Sequence, residues 1–312
     1  MTLLDHISKS TGLNISYIER VVTKAPFSYK KYTIPKKNGG FREIFHPSKE
    51  LKLIQRWLVT HIISSFPVHE CVYSYKKGRG IKAHAEIHRS NNYILRIDLK
   101  NFFPSIMAKD VKILCLKNIK NISQNLTEQD VSIFCRIVCR FNKEDRGLAL
   151  TIGSPASPAI SNAILFEFDE KITALSLKHG LIYTRYADDL YFSTNEPNKL
   201  DCLYKLVEIY INEIPSPKLQ INTEKTVYTS RKRRRVVTGI ILTSENKLSI
   251  GREEKRRIRT QVYLYLNEKL ELENLPTLRG KIAYYHSIEP SFIDSLKQKF
   301  GEENIDKLIK LQ

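Results

Sequence analysis

Three carboxylates stand out because each interrupts its surroundings. Asp98 closes an otherwise apolar run, Ile94-Leu95-Arg96-Ile97-Asp98-Leu99, and Asp188-Asp189 sit side by side between two Tyr-containing apolar runs. Taken singly, either site is ordinary, since Asp at a strand end or a hairpin tip is a common turn former. Together they mean more. Adjacent carboxylates repel, and a bound cation relieves that repulsion. A third carboxylate on a neighbouring strand completes the kind of oxygen set that Mg2+ takes alongside substrate phosphates. Two such ions roughly 3.5–4 Å apart activate an attacking hydroxyl and stabilise the leaving oxygen of an in-line displacement. The chemistry indicated is phosphoryl or nucleotidyl transfer.

The elements that must position these groups read as a mixture of helices and strands. Tyr93 to Leu99 has the pattern of a buried strand. Leu181 to Tyr186 and Leu190 to Thr194 are two short strands flanking Ala187-Asp188-Asp189, so a hairpin is expected. Ser48 to Phe66 places Leu51, Ile54, Leu58 and Ile62 on one helical face. Thr127 to Phe141 is expected to be a helix capped by Thr127 with Asp130 three residues on. Ser157 to His179 has the strongest helical signature, with Ser157 as cap, Pro158 in the first turn and Gly180 beyond the end. Arg235 to Leu242 and Lys247 to Ile250 read as a strand pair. Arg252 to Leu270, Pro276 to Ser287 and the tail to Gln312 read as helical.

The 312 residues carry 51 Lys+Arg against 33 Asp+Glu, a formal net charge of +18. One small bound anion needs only a few cations, so a surplus of this size points to a polyanion. Half of it is concentrated: Lys225 to Thr260 holds twelve Lys/Arg and three acids. A charge run is usually a solvated face, but this density favours a phosphate-contacting surface. No apolar stretch approaches the roughly 20 residues of a membrane-spanning helix, and the N-terminus lacks the apolar core of a signal peptide. Membrane partners are therefore not expected. Five scattered cysteines, with Cys135 and Cys139 as helical core residues, fit a reducing, cytoplasmic setting.

These residues resemble a known family. Tyr186-Ala187-Asp188-Asp189 is similar to the Y-x-D-D box of reverse transcriptases, and Arg96 to Ile106 resembles the preceding metal-binding strand. Gly153-Ser154-Pro155-Ala156-Ser157-Pro158 resembles the family's G-x-x-x-S-P helix, and Phe41 to Pro47 resembles a block of its fingers. Order and spacing match from about Tyr32 to Leu242. Within the family the chain looks most like a bacterial retron reverse transcriptase. It shows no appended maturase or endonuclease region, Val237-Thr238-Gly239 matches the retron V-T-G signature, and Ala85-Glu86-Ile87-His88 resembles the tail of N-A-x-x-H, with His84 in place of Asn. A second departure is Ile152, where many reverse transcriptases have Gln. Ile-Gly also occurs in diversity-generating reverse transcriptases, but those continue with S-Q, whereas this chain has Ser157-Pro158.

The resemblance implies an α+β, right-hand polymerase architecture. Residues 1–92 would be N-terminal helices and fingers. Residues 93–241 would be a palm of antiparallel sheet backed by helices, with a helical insertion at about 108–150, and residues 242–312 a helical thumb. It implies two Mg2+ ions on Asp98, Asp188 and Asp189, and dNTP substrates. Lys36 or Lys37 and Arg42 would hold the triphosphate, Phe103 would gate against a 2′-hydroxyl, Gly153 would line the nucleotide site and Lys225 would serve the leaving pyrophosphate. Tyr186 would line the primer end. His88, Thr238 and Gly239 would contact RNA, and Arg252, Lys255, Arg256 and Arg259 the template–primer backbone. The implied function is RNA-directed DNA synthesis on a cognate noncoding RNA of the msr-msd type, primed from a guanosine 2′-hydroxyl and yielding branched msDNA. Anti-phage defence with a separate effector protein is the implied role. The alternatives are a group II intron or abortive-infection type of reverse transcriptase, or a catalytically silent RNA-binding protein on the same fold.

Overall fold

In the computed structural model, which describes residues 1–36, 39–118, 126–144 and 146–310 (Lys310 by its backbone alone), strands β1 (Tyr29–Pro35) and β2 (Phe41–Pro47) form an antiparallel ribbon. Its register runs from Tyr29 opposite Pro47 to Pro35 opposite Phe41. A largely exposed two-stranded ribbon is marginal by itself. This one is anchored at its base, where Ser48 N–H donates to the Ser28 carbonyl (2.9 Å) and Phe45 N–H to the Ile152 carbonyl (2.8 Å). Helix Lys49–His61 follows, with Ser48 Oγ accepting from Leu51 N–H at 3.3 Å. The i, i+3, i+4 face holds: Leu51, Ile54 and Leu58 are fully buried.

Strand β3 (Tyr93–Leu99) has the expected bounds and is largely buried. Helix Glu128–Val138 begins with the reciprocal cap of Thr127 and Asp130. Asp130 also accepts from Leu3 N–H at 2.8 Å, which pins the N-terminal helix Leu3–Thr11 to it. Strands β4 (Arg140–Asn142) and β5 (Gly147–Ala149) form a small antiparallel pair.

The expected single helix from Ser157 to His179 is instead two helices, Ser157–Ile164 and Phe166–Lys178. The break is local to Leu165, whose ψ is 8°. Hydrogen bonds continue through it, from Leu165 N–H to Ser161 O (3.2 Å) and from Asp169 N–H to Leu165 O (2.8 Å). Ser157 does not cap the helix. Its Oγ accepts from Thr151 N–H at 3.2 Å and so holds the preceding loop. Strands β6 (Ile182–Tyr186) and β7 (Asp189–Thr194) form the expected hairpin. With β8 (Ile221–Ser230) they complete a four-stranded sheet in the order β6-β7-β3-β8, and helix Phe166–Lys178 packs on β6.

The chain divides into two compact units, the first of residues 1–77, 95–192 and 198–227, the second of residues 78–94, 193–197 and 228–312. The second holds helix Ile81–His88, a three-stranded sheet and four helices. Here the sequence pattern misleads. Arg235 to Leu242 is two strands, β9 (Arg235–Val237) and β10 (Ile240–Leu242), with β11 (Leu248–Ser249) pairing on β10. Thr238 and Gly239 have φ of 46° and 87°, and positive φ at both central residues makes a tight hairpin turn between β9 and β10. Helices Arg252–Leu266, Leu275–Ile288, Pro290–Phe300 and Glu302–Lys310 share a core that includes Ile258, Val262, Leu278, Ile282 and Leu296. Among the described residues no helix is long and apolar enough to cross a membrane.

Candidate active site

Strands β6 and β7 are joined by two residues, Ala187 and Asp188, so Asp188 lies in the turn and Asp189 opens β7. Ala187 has φ of 55°, a left-handed conformation that a non-glycine residue adopts only when its surroundings hold it there. The Asp188 carbonyl accepts from Leu99 N–H at 2.9 Å, which sets the hairpin tip beside the end of β3 and hence beside Asp98.

Asp98 is 8 % exposed. Its Oδ1 accepts from Asn222 Nδ2 at 2.9 Å and from Lys225 Nζ at 3.2 Å, both from β8. Arg96 Nε lies 3.8 Å from Asp189 Oδ1, an ion pair too long for a hydrogen bond. Burial raises Asp188 above the usual carboxylate range, and the Asp98 charge adds to it. Its own backbone N–H, Lys225 and Arg42 pull the other way. Asp189 is pushed up to about 7, by burial first and then by Asp188, with Arg96 opposing. Repulsion among grouped, part-buried carboxylates is what a cation relieves.

Among the described residues no three acidic, histidine or cysteine side chains converge closely enough to enclose a metal ion. The donor chemistry nevertheless fits Mg2+. The three groups are carboxylates that feel one another's charge, and the ammonium of Lys225 and the guanidinium of Arg96 already lie against two of them. An open set of hard oxygen donors suits an ion that keeps its remaining positions for water and substrate phosphate.

Other expected site residues in the first unit fall as follows. Arg42 is exposed on β2, and its charge reaches Asp188. Lys36 is exposed at the ribbon turn, and Lys37 lies outside the described residues. Phe102 is core at 4 % exposure, whereas Phe103 is half-buried with its ring 5.3 Å from that of Phe102. Tyr186 is half-buried beside the turn. Gly153 has φ of 107°, and a Cβ there would lie 2.5 Å from the Phe45 carbonyl oxygen, so the loop and β2 can meet only at glycine. Arg96, Asn222 and Tyr75 were not anticipated. Arg96 was detectable, because residues two apart on a strand share a face. Asn222 lies three residues before Lys225 and shares its strand. Tyr75 is brought to the site by a loop, and burial followed by the Asp188 charge raises its hydroxyl pKa.

In the second unit His88 is fully buried, not on the surface where RNA contact was expected. Its Nδ1 lies 2.7 Å from Ser193 Oγ, which also accepts from Asn91 Nδ2 at 2.6 Å. Burial drives His88 down to about 3 and His84 to about 2, so both stay neutral. His84 Nδ1 lies 3.4 Å from Thr238 Oγ1, which joins the two signature blocks. On helix Arg252–Leu266, Arg252 and Arg256 are exposed. Lys255 pairs with Glu289, and the Arg259 guanidinium lies 5.3 Å from the centre of the Phe292 ring.

The profile of a family described as reverse transcriptase (RNA-dependent DNA polymerase) matches residues 34–248. The telomerase of Candida albicans, solved in complex with a TWJ fragment of telomeric RNA, superposes with a TM-score of 0.51 at 13% identity, over 94% of this chain and 59% of that one. Apo telomerase from Candida Tropicalis gives 0.51 at 12% identity, over 91% of this chain and 58% of that one. At such identities the likeness shows the fold alone, and this chain spans less than two thirds of either telomerase. Sheet, hairpin and family match define an RNA-directed DNA polymerase with the α+β right-hand fold. The Retron Ec83 reverse transcriptase of Escherichia coli is 37% identical over 285 residues, 90% of each chain. The Retron Ec73 enzyme of Escherichia coli is 34% identical over 291 residues, again 90% of each, and the Retron Ec86 enzyme 30% over 317 residues, 98% of this chain and 93% of that one. The chain belongs to the retron reverse transcriptases.

Proposed function

We propose that this polymerase binds a cognate structured noncoding RNA, primes from a guanosine 2′-hydroxyl within it and copies part of it into branched RNA–DNA. The observation that carries the reading is the cluster of Asp98, Asp188 and Asp189, three mutually repelling carboxylates at the junction of β3 and the β6–β7 turn. These three residues would hold two Mg2+ ions, which when bound supply Lewis acidity to the attacking hydroxyl and to the triphosphate. Asn222 orients Asp98 by donating to its Oδ1. Lys225, its ammonium beside Asp98 and more than half exposed, holds the proton that the leaving pyrophosphate takes. Arg42 and Lys36 bind the triphosphate from the ribbon, and Phe103 excludes a 2′-hydroxyl. Gly153 lets the loop approach the nucleotide, and Tyr186 supports the primer end. Thr238 and Gly239 meet the structured RNA at their turn, with His84 and His88 bracing it from within. Arg252, Arg256 and their neighbours Lys255 and Arg259 contact the template–primer backbone.

In this reading residues 1–92 serve as fingers, 93–241 as palm and 242–312 as thumb, of which the described part ends at 310. The product is msDNA from an RNA of the msr-msd type. The setting is cytoplasmic, and the role is anti-phage defence with a separate effector protein. The test uses the purified chain, the RNA encoded beside its gene, Mg2+ and labelled dNTPs. A branched, ribonuclease-trimmed DNA product is expected, and its loss in the double variant Asp188→Asn, Asp189→Asn. Undiminished synthesis by that variant would sink the assignment.

A further inference from the structure

The turn that carries Asp188 is gripped both from outside the hairpin, by Ser74 and Leu99, and from within it, by Arg185 of β6. Ala187 N–H donates to Ser74 Oγ at 2.7 Å, and the Ala187 carbonyl accepts from Arg185 Nη1 at 3.2 Å. With the Asp188 carbonyl tied to Leu99 N–H, three backbone polar groups of a two-residue turn have fixed partners.

The partners are themselves fixed. Arg185 is fully buried and grips Asp169 through Nε (2.9 and 3.0 Å) and Nη2 (2.7 Å), while Nη1 also donates to Asn162 Oδ1 at 3.1 Å. Tyr183 adds its hydroxyl to Asp169 at 2.8 Å. Asn162 Nδ2 donates to the Ser74 carbonyl at 3.0 Å, closing a ring that runs Ala187–Arg185–Asn162–Ser74–Ala187. The segment that carries Ser74 is bound to β6 by Arg185 N–H to Cys71 O and Tyr73 N–H to Arg185 O, each 2.9 Å. Ser74 and Asn162 are 0 % and 2 % exposed.

A buried ion pair is weak grounds for stability, because desolvating both charges offsets their attraction. Arg185 does something an apolar residue could not. With Nε and Nη2 engaged by Asp169, the two N–H groups of Nη1 are aimed at Asn162 Oδ1 and at the carbonyl of a left-handed alanine. We propose that Ser74 and Arg185 are positioning residues that clamp the Ala187–Asp188 turn and thereby set the aim of the Asp188 carboxylate. This rests on the reading of Asp188 as a catalytic carboxylate. A misplacement of about 1 Å at a reacting centre costs on the order of 100-fold in rate.

The test measures steady-state synthesis by the full chain on its RNA with Mg2+. For Ser74→Ala, kcat is expected to fall about 10- to 100-fold. The KM for dNTP and the RNA Kd should stay near the parent's at a temperature where the variant is still folded, although orphaning the buried Ala187 N–H lowers the melting temperature somewhat. Ser74→Thr, which keeps the hydroxyl, should recover most of the rate. Arg185→Lys keeps the charge on Asp169 but loses the fork, and should show the same split of kcat from KM. If kcat of Ser74→Ala matches an active parent, the clamp is overturned while the proposed function stands. If both variants lose RNA affinity along with rate at that temperature, the network holds the fold rather than the aim, and the proposal is likewise overturned. If the unaltered chain makes no DNA, the proposed function fails and the clamp with it.

Discussion

Asp189 illustrates how position decides a carboxylate's chemistry. It opens β7 where burial and Asp188 together push it up to about 7, against the opposing charges of Arg96 and then Lys225. Asp98, by contrast, is held by an amide and an ammonium from β8. The adjacent aromatics divide just as sharply: Phe102 is core, and Phe103 keeps part of its ring free. Phe103→Val should therefore leave dNTP use largely intact while admitting ribonucleotides. The ratio of kcat/KM for dNTP over rNTP is expected to fall by roughly 10- to 200-fold, the range a side-chain-sized change in a pocket allows. An unchanged ratio would remove Phe103 from the gate. Phe102→Val should instead lower the melting temperature. The three carboxylates were legible in the sequence because charge stands out in apolar runs. Asn222 and Tyr75 were not, because an amide or phenol at an ordinary spacing gains meaning only from what the fold brings to it.

Two glycines show how local geometry sets what an element tolerates. Both Gly153 and Gly239 have positive φ, so an alanine at either is strained. They differ in surroundings. A Cβ on Gly239 would meet nothing within 4 Å, whereas one on Gly153 would run into the backbone of Phe45 at 2.5 Å and the Ile44 side chain at 2.9 Å. Gly239→Ala is expected to cost about 1 kcal/mol. Gly153→Ala adds an overpacking cost of about 1–3 kcal/mol, because backbone cannot step aside as a flexible side chain can. Denaturant titration of the two variants checks the order, and equal losses would mean that the loop and β2 separate freely. The same physics explains which elements were readable. Tyr93–Leu99 and the β6–β7 hairpin follow from alternation and composition. The split of Arg235 to Leu242 does not, because Val-Val-Thr-Gly-Ile-Ile-Leu is a strand by propensity, and only the left-handed Thr238 and Gly239 fold it back. Thr238 tolerates that conformation with its hydroxyl beside His84, a long-range partner invisible in a local window. The Leu165 break was hidden for a similar reason: no Gly or Pro marks it, and the hydrogen bonds run on through it.

The surplus of +18 is a property of the whole chain, yet not all of it is available to a polyanion. In the dense stretch from Lys225 to Thr260, Arg235 is 1 % exposed and donates to the carbonyls of Asn91 and Thr243, so it is an internal fastener. Lys255 is tied to Glu289, and Lys225 stands at Asp98. Lys232, Arg233, Arg234, Arg252 and Arg256 are exposed and carry the outward charge. Each cation that neutralises an RNA phosphate releases counterions, steepening the fall of log K with log salt by roughly 0.7 to 0.9. RNA binding is accordingly expected to weaken steeply as salt rises. Arg233→Gln and Arg234→Gln should each flatten the slope by about that increment with little change in melting temperature. Arg235→Gln should do the reverse, lowering the melting temperature and leaving the slope per folded molecule unchanged, since its charge never faced solvent. Filter-binding isotherms between about 50 and 200 mM salt, read beside thermal melts, separate the two behaviours. A shallow slope in the parent, insensitive to Arg233 and Arg234, would mean that the basic stretch is a solvated face and that the RNA is held elsewhere on the chain.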